Sequence, residues 1–256
     1  MNFTDQTGYT ITLKKTPERI ISIVPSQSEL LWDLGLRGEL IGITKFCIHP
    51  NEMFTSIERV GGTKKLDIEK IKSLKPDLII GNKEENEQSQ IDVLRKEFPV
   101  WMSDIYDLND AYEMMNCIGD MTGKKNEAEE IVRKVKTAFS GLRTSNLKGK
   151  KVAYFIWYNP FMVAAQNTFI SHIIEKLEMI NVFSYLQRYP EVSTAQLKQA
   201  NPDYIFLSSE PFPFKEQHIN ELRLVCPSAQ VILVDGEMFS WYGSRLGLAP
   251  AYFNTL

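Results

Sequence analysis

Two stretches of the chain carry the same pattern of apolar and polar residues. Residues 68–84 read IEKIKSLKPDLIIGNKE and residues 194–210 read TAQLKQANPDYIFLSSE, in gapless register at an offset of 194 − 68 = 126 residues. In each copy, apolar residues at helical spacing precede a Pro-Asp break, and a short apolar run follows it. Each copy predicts a short helix and a buried strand, ending at Glu84 or Glu210. Such a repeat predicts two similar α/β lobes, and ligands commonly bind in the cleft between two lobes.

Strand and helix patterns alternate on both sides of the chain's centre. Apolar runs predict strands at residues 10–13, 19–24, 40–46, 78–80, 100–102, 151–157, 204–207 and 231–234. Amphipathic segments predict helices at residues 29–34, 67–74, 89–98, 169–179, 195–199, 216–224 and within 244–256. Ser26 and Glu29 have the spacing of a capping box, which predicts that the first helix begins at Glu29. Alternation of this kind is typical of a largely parallel sheet.

The central segment, residues 107–143, differs because it is rich in charge and contains no proline. An apolar stripe at helical spacing predicts one long rigid helix, with Gly119 and Gly123 as the positions where it could bend. The stripe consists of Ala111, Met114, Met115, Ile118 and Met121. The predicted fold class is α/β, with two Rossmann-like lobes around mainly parallel sheets, the long helix joining them, and a ligand cleft between the lobes. The predicted domains are an N-terminal lobe at 1–105, the helix at 106–145, and a C-terminal lobe at 146–256.

Composition narrows the class of partner. The 256 residues carry a net charge of −3, and lysine and arginine are scattered among acidic residues. We therefore expect no nucleic-acid partner, because phosphate binding needs a basic surface. No apolar run is long enough to span a membrane, and the first residues lack the apolar core of a secretory signal. These features predict a soluble protein, which we expect to be a monomer, and leave a cytoplasmic location open.

Ligands of open α/β sheets bind beyond the carboxyl ends of the strands, so the residues after each predicted strand are candidate ligand contacts. In the first lobe these are Ser26, Gln27, Phe46, Glu84, Glu85 and Asn86. In the second lobe they are Trp157, Tyr158, Asn159, Glu210, Phe212, Phe239, Trp241 and Tyr242. The second set is rich in aromatic rings, which offer apolar area to a flat ligand at a small entropy cost. The alternative is that these rings pack the loops themselves.

Cys47 and His49 place a thiol and an imidazole two residues apart. The pair could begin a zinc site if Glu84 or Glu85 supplied a third ligand. The interpretation that we favour is an axial contact from Cys47 or His49 to the metal of a bound complex. Lys64 could meet an anionic group of the ligand, although a solvated lysine is the default.

Sequence signatures of catalysis are absent. The chain has no GxGxxG after its first strand, no P-loop, no GxSxG and no HExxH. Its three histidines are spread along the chain and suggest no general-base pairing. We therefore predict a binding protein that is not an enzyme and requires no cofactor of its own.

Three segments resemble a known family. RIISIVPSQSELLWDLGL, VGGTKKLDIEKIKSLKPDLII and VSTAQLKQANPDYIFLSS are similar to the substrate-binding proteins of ABC importers for cobalamin, haem and iron–siderophores. These are class III periplasmic binding proteins, also called helical backbone metal receptors. The resemblance extends from about residue 10 to the end of the chain. It implies two α/β lobes joined by one rigid helix, with the ligand held in the cleft.

Carried over to this sequence, the resemblance implies contacts at five places. They are Ser26–Gln27, the surroundings of Lys64, Glu84–Asn86, Trp157–Pro160 and Phe239–Tyr242.

The resemblance also implies an ABC permease partner, docked through one glutamate on each lobe. Glu69 matches the first, but the second position holds Ala195, so that ion pair is missing or displaced to Glu191 or Gln196. Family members act in the periplasm or at the cell surface.

The leading hypothesis is a substrate-binding protein that holds a metal-bearing macrocycle or chelate for ABC-type import. A corrinoid, haem and a ferric siderophore all remain open as the ligand. One alternative is a cytoplasmic carrier or sensor of such a ligand. A less favoured alternative is a chelatase-type enzyme on a related fold, with His49 or Glu84 as the proton acceptor.

Overall fold

The computed structural model describes residues 1–256, and the chain divides into two structural units with a sheet in each. The first unit comprises Met1–Ile105, Asn109–Thr137 and Tyr242–Gly247. The second comprises Tyr106–Leu108, Ala138–Trp241 and Leu248–Leu256.

The first unit is built on a parallel five-stranded sheet. Including two hairpins outside this sheet, the strands of the unit are β1 (Asn2–Thr4), β2 (Thr10–Thr12), β3 (Ile20–Ser22), β4 (Leu40–Ile43), β5 (Glu58–Arg59), β6 (Gly61–Gly62), β7 (Lys65–Leu66), β8 (Leu78–Asn82) and β9 (Val100–Ser103). The sheet has the order β5-β4-β3-β8-β9, while β1-β2 and β6-β7 are antiparallel hairpins. Helices α1 (Pro25–Asp33), α2 (Asn51–Ser56), α3 (Ile68–Leu74) and α4 (Gln88–Arg95) connect the strands. The strand order reverses between β3 and β8, which is where open α/β sheets bind ligands.

Two helices follow, α5 (Leu108–Thr122) and α6 (Lys125–Ser140), and then the sheet of the second unit. Its strands are β10 (Lys151–Trp157), β11 (Met162–Val163), β12 (Ile180–Asn181), β13 (Tyr204–Ser208) and β14 (Gln230–Val234). The order is β11-β10-β13-β14, with β12 also paired to β10, and only β11 is antiparallel. The helices are α7 (Phe169–Lys176), α8 (Thr194–Ala200), α9 (Glu216–Val225), α10 (Gly236–Ser240) and α11 (Ala249–Phe253), with a 3₁₀ turn at Ser244–Gly247. The predicted α/β fold with mainly parallel sheets is confirmed.

Each sheet is buried by the helices that pack on it. Ile21 and Ile79 of the first sheet and Ile205 and Leu207 of the second are fully buried. Burial of one such side chain contributes about 1.5–3 kcal/mol, so the apolar runs read from the sequence are the cores of the two units. None of the helices combines the length and the hydropathy needed to cross a bilayer.

The sequence repeat holds residue for residue in the structure. Helices α3 and α8 have the same bounds after a shift of 126 residues (194 − 68 and 200 − 74), and so do strands β8 and β13 (204 − 78 and 208 − 82). Both helices end on a residue in the left-handed conformation, Lys75 at φ 48° and Asn201 at φ 44°. In each copy of the repeat, the Pro-Asp break that follows leads into a strand beside the centre of its sheet.

The prediction of one long helix is wrong, because α5 and α6 are separate. Gly123 ends α5 in the left-handed conformation at φ +71°, which glycine adopts without strain. A Cβ on Gly119 would collide with the Cβ of Ala128. These residues are nine positions apart, about 13 Å along a continuous helix, so the chain has turned back sharply. The predicted stripe is nevertheless buried throughout, from Ala111 to Met121.

The predicted capping box is also wrong. Helix α1 begins at Pro25, and its cap, Val24, makes no side-chain hydrogen bond. Proline fits the first helical position because that residue's N–H would have no intrahelical partner. Ser26 therefore lies within the first turn, where it is buried. The short elements β1, α2, β5, β6, β7, β11, β12 and α10 were not predicted, since two to six residues are too few to show a period.

Candidate functional site

The predicted site residues lie at or just after the carboxyl ends of parallel strands in each unit. In the first unit, Ser26 follows β3 and Glu84 follows β8. In the second unit, Trp157 ends β10 and Glu210 follows β13. Each pair flanks the position where the strand order of its sheet reverses.

In the first unit, a buried polar network joins these strand ends. The Nε2 of Gln27 donates to the Oγ of Ser103 at 2.5 Å, and the Nδ2 of Asn82 donates to the same oxygen at 2.9 Å. Ser103 donates in turn to the carbonyl of Gly81 at 3.2 Å. Ser103, which directly follows the predicted strand at residues 100–102, was absent from the predicted site. The network fixes the loops after β3, β8 and β9 relative to one another.

Asn86 is fully engaged with the backbone. Its Oδ1 accepts from the N–H of Asn82 at 2.9 Å, and its Nδ2 donates to the carbonyls of Ile23 and Thr63, both at 3.1 Å. The side chain is buried, and a Cβ on Gly81 would come within 2.7 Å of its Oδ1. The structure therefore gives Asn86 a role in holding the loop rather than one in contacting a ligand.

The residues around Asn86 are more accessible. The backbone N–H groups of Glu84 and Glu85 donate to the Oδ1 of Asn82 at 2.8 and 3.1 Å, which leaves both carboxylates half-buried beyond the strand. Lys64 reaches this loop, since its Nζ donates to the carbonyl of Glu84 at 2.8 Å. Phe46 is 49% exposed. Its ring is the largest apolar surface among the predicted residues of the first unit.

The predicted metal contacts are not brought together. Cys47 is fully buried, and its sulfur lies 3.2 Å from the Oγ of Ser28 and 3.1 Å from the Oγ1 of Thr44. Burial raises the pKa of the Cys47 thiol, which disfavours the thiolate that metals bind. The Cys47 side chain therefore lies in the core of the first unit. His49 is half-buried, and no three histidine, cysteine or acidic side chains are grouped to hold a metal ion.

In the second unit, aromatic rings dominate the strand ends. Trp157 is 39% exposed, and its ring meets that of half-buried Phe212 edge to face at 5.5 Å. Tyr158 stacks on Phe212 at 5.8 Å, with 27° between the ring planes. Asn159 is exposed beside them. We call Trp157 and Phe212 the aromatic surface of the second unit.

Glu210 lies at the other side of this edge. Its Oε1 accepts from the indole Nε1 of Trp241 at 2.7 Å and from the Oγ of Ser240 at 3.1 Å. Burial raises the pKa of Glu210, while these two donors lower it and the nearby carboxylates Glu237 and Asp235 raise it. The carboxyl group thus ties the loop after β13 to the end of α10.

The predicted contacts after β14 are mostly internal. Phe239 is fully buried, with ring centroids 5.0 Å from Tyr154 and 4.8 Å from Phe253. It belongs to the core of the second unit, because it lies on the inner face of α10, so its predicted ligand contact is not supported. Trp241 and Tyr242 are also buried.

One ion pair beyond this segment was not predicted from the sequence. Arg245 forms a bidentate pair with Glu29, at 2.7 and 2.8 Å. The two residues are 216 positions apart in the chain.

The predicted docking position occurs on both repeat helices. Glu69 is exposed in the first turn of α3, and Ala195 is exposed at the equivalent position of α8. Gln196 was suggested as a replacement for the second docking glutamate, but its side chain takes part in a capping box. There its Oε1 accepts from the N–H of Ser193 at 2.9 Å. Glu191 is the remaining exposed acid near the start of α8.

The chain matches the sequence model of a family described as periplasmic binding protein over residues 20–222. It is 24% identical over 212 residues to the ABC transporter substrate-binding lipoprotein YvrC of Bacillus subtilis (strain 168), covering 78% of this chain and 67% of that protein. It is 27% identical over 241 residues to the vitamin B12-binding protein of Pectobacterium carotovorum subsp. carotovorum (strain PC1), covering 91% of this chain and 86% of that protein.

The fold is shared with solved structures. The periplasmic vitamin B12-binding protein BtuF of Vibrio cholerae superposes with a TM-score of 0.79 at 22% identity, over 93% of this chain and 96% of that chain. Other structures with this fold are described as periplasmic heme-binding proteins and as a possible iron-binding protein.

Proposed function

Because the chain belongs to the periplasmic binding protein family, we propose that it is the substrate-binding protein of an ABC importer for a metal-bearing macrocycle or chelate. One relative is named a vitamin B12-binding protein, and solved structures of the same fold are described as a vitamin B12-binding protein, a heme-binding protein and a possible iron-binding protein. The ligand class is therefore a corrinoid, a haem or a ferric siderophore. The observation that carries this proposal beyond family membership is the exposed aromatic surface of Trp157 and Phe212 at the carboxyl edge of the second sheet.

The accessible residues at the strand ends are the proposed ligand contacts. An exposed tryptophan beside a half-exposed phenylalanine is costly to leave in water, and a large planar ligand would cover both rings. In the first unit the accessible candidates are Phe46, Lys64, Glu84 and Glu85. In the second unit they are Trp157, Asn159, Glu210 and Phe212. The buried residues Ser26, Gln27, Trp241 and Tyr242 would support these contacts from below.

The proposed partner is an ABC permease that contacts Glu69. This carboxylate is exposed in the first turn of α3. One exposed charge pair contributes little affinity but orients the complex. The relatives' descriptions as periplasmic and lipoprotein support a location in the periplasm or at the cell surface.

The alternatives are less well supported. The family and the two relatives described above are named as binding proteins, and none of these names mentions catalysis or a cytoplasmic carrier. We expect no catalytic turnover of porphyrin and metal by this chain.

The proposal is tested by titrating the purified protein with hydroxocobalamin, haemin and ferrichrome. Binding of one of them should quench tryptophan fluorescence, because Trp157 is exposed at the aromatic surface, and should shift the absorbance of the ligand. A saturable response at micromolar concentration is expected for one ligand. An unchanged signal with all three would contradict the proposal.

A further inference from the structure

The aromatic surface rests on a second layer of two side chains: Tyr158, which was a predicted ligand contact, and His218, which was not. Tyr158 and His218 lie beneath Phe212, with ring centroids 5.8 and 5.3 Å from it. Tyr158 also lies 4.6 Å from His218, so the three rings form a closed triangle. Phe212 is therefore held on one side by Tyr158 and His218, while its edge meets Trp157 on the other.

This second layer is fixed to helix α9 at both ends. The backbone N–H of Lys215 donates to the Nδ1 of His218 at 2.8 Å, which sets the orientation of the buried imidazole. The hydroxyl of Tyr158 donates to the Oε2 of Glu221, one turn further along α9. This bond raises the pKa of Tyr158, as expected for a phenol that donates to a carboxylate.

The geometry limits how Trp157 and Phe212 can move. Trp157 is the last residue of β10 and Tyr158 follows it directly, while Phe212 lies on the loop after β13. Without an anchor, each loop would order its rings only when a ligand arrives, and the lost rotamer freedom would oppose binding. The bond to Glu221 supplies that anchor, because it holds the Tyr158 ring parallel to Phe212 before a ligand is present.

We infer that Tyr158, through Glu221, is a positioning residue that pre-organises the aromatic surface of Trp157 and Phe212 for the flat apolar face of the ligand. Tyr158 was predicted to contact the ligand itself, and this inference assigns it to the layer beneath. The expected effect on ligand affinity rests on the proposed function. The ordering of the rings does not, because it can be measured in the free protein.

The experiment combines four variants with two measurements. Tyr158→Phe removes the hydroxyl and keeps the ring, Glu221→Ala removes the acceptor, Glu221→Gln retains one, and the fourth variant is Tyr158→Phe with Glu221→Ala. The measurements are the Kd for hydroxocobalamin, haemin and ferrichrome, and the near-ultraviolet circular dichroism of the free protein, which reports ring order. Tyr185→Phe is the matched control, because Tyr185 is an exposed tyrosine of the same unit.

We expect Tyr158→Phe and Glu221→Ala each to raise the Kd of the bound probe about fivefold and to reduce the aromatic dichroism, as for the loss of one hydrogen bond. The double variant should show no larger effect than either single change, because both remove the same bond. Glu221→Gln should restore most of the affinity and dichroism. Tyr185→Phe should leave both measurements unchanged.

Three outcomes would overturn the inference. The first is binding by the wild-type protein with a Kd that Tyr158→Phe leaves unchanged. The second is additive effects of the two single changes, which would mean that each residue acts on the ligand independently. If the wild-type protein binds none of the probes, the proposed function fails, and the dichroism alone decides: a spectrum unaffected by Tyr158→Phe and Glu221→Ala would refute the positioning role.

Discussion

The carboxyl edges of the two sheets are built from different chemistry on the same frame. In the first unit, Gln27, Asn82 and Ser103 form a buried network of amide and hydroxyl groups. In the second unit, the corresponding edge presents Trp157 and Phe212, whose rings reach the surface. Strand β8 and strand β13 share bounds at an offset of 126 residues (204 − 78), so the contrast arises from the residues that occupy the strand ends and the segments after them.

This difference separates stability from binding. Polar groups buried at a strand end must be paired, and their loss lowers the free energy of unfolding. Exposed rings contribute little to folding and are available to a ligand. We therefore expect substitutions at the first edge to act mainly on stability and substitutions at the second edge to act mainly on affinity.

The largest expected effect is on the stability of the first edge. Asn86→Ala removes the partners of one backbone N–H and two carbonyls, all buried. The free energy of unfolding should fall by about 3 kcal/mol, which lowers the Tm by roughly 6–12 °C. Differential scanning calorimetry measures the change. The matched control is Asn159→Ala, because Asn159 is exposed, and its Tm should stay within about 1 °C of wild type. Equal Tm values for the two variants would remove the distinction between the edges.

The next effect is on affinity at the second edge. Trp157→Ala removes the most exposed ring of the aromatic surface and should raise the Kd of the bound ligand about tenfold, on the order of 1.5 kcal/mol. The Tm should change little. Leu224→Ala, an exposed apolar residue on α9 of the same unit, should leave the Kd unchanged. Isothermal titration calorimetry distinguishes the two variants, and a lower Tm with an unaltered Kd for Trp157→Ala would assign that ring to the core.

A smaller effect concerns the charge at Glu210. Burial raises the pKa of this carboxyl above its ordinary value of 4.5, so the native state binds the proton more tightly than the unfolded chain does. Stability is therefore lost as the pH rises from about 4.5 through the native pKa. Glu210→Gln lacks the charge but keeps an acceptor for Trp241.

The Tm of Glu210→Gln minus that of the wild type should accordingly be larger at pH 7 than at pH 4. Thermal melts at both values of pH give this difference. If the Tm of the wild type instead rose relative to that of Glu210→Gln between pH 4 and pH 7, the surroundings of Glu210 would stabilise its carboxylate form.

The smallest effect compares the two repeat helices. Glu69→Ala should lower the ligand-dependent ATPase rate of the cognate importer in proteoliposomes about twofold to fivefold, and Ala195→Glu should raise it by a similar factor. Neither change should alter the Kd for the ligand, since Glu69 and Ala195 are exposed in the first turns of α3 and α8 and are not among the proposed ligand contacts. An unchanged rate for both variants would argue against docking through these helices.

Periodic features of the sequence predicted the fold well. The repeat at residues 68–84 and 194–210 yielded two equivalent helices and strands, and alternation elsewhere yielded the parallel sheets. The single long helix failed at Gly123, because periodicity records which face is apolar and continues through a turn when both helices bury the same side.

The candidate site was less predictable. Residues at strand ends could be identified by type, but their burial depends on loop geometry that sequence does not encode locally. Cys47, Asn86 and Phe239 have the chemistry of ligand contacts and turn inward, while His218 and Glu221 support the aromatic surface from a helix that carried no functional signal.

Hydrogen–deuterium exchange of the full chain, with and without saturating ligand, locates the binding surface directly, using whichever of hydroxocobalamin, haemin or ferrichrome binds. The ligand should slow exchange in residues 157–161 and 209–214, the two segments that carry Trp157 and Phe212. Exchange in the surroundings of Glu69 on α3 should not change. Protection confined to other regions, with those two loops exchanging as fast as in the free protein, would contradict the claim that the aromatic surface of the second unit binds the ligand.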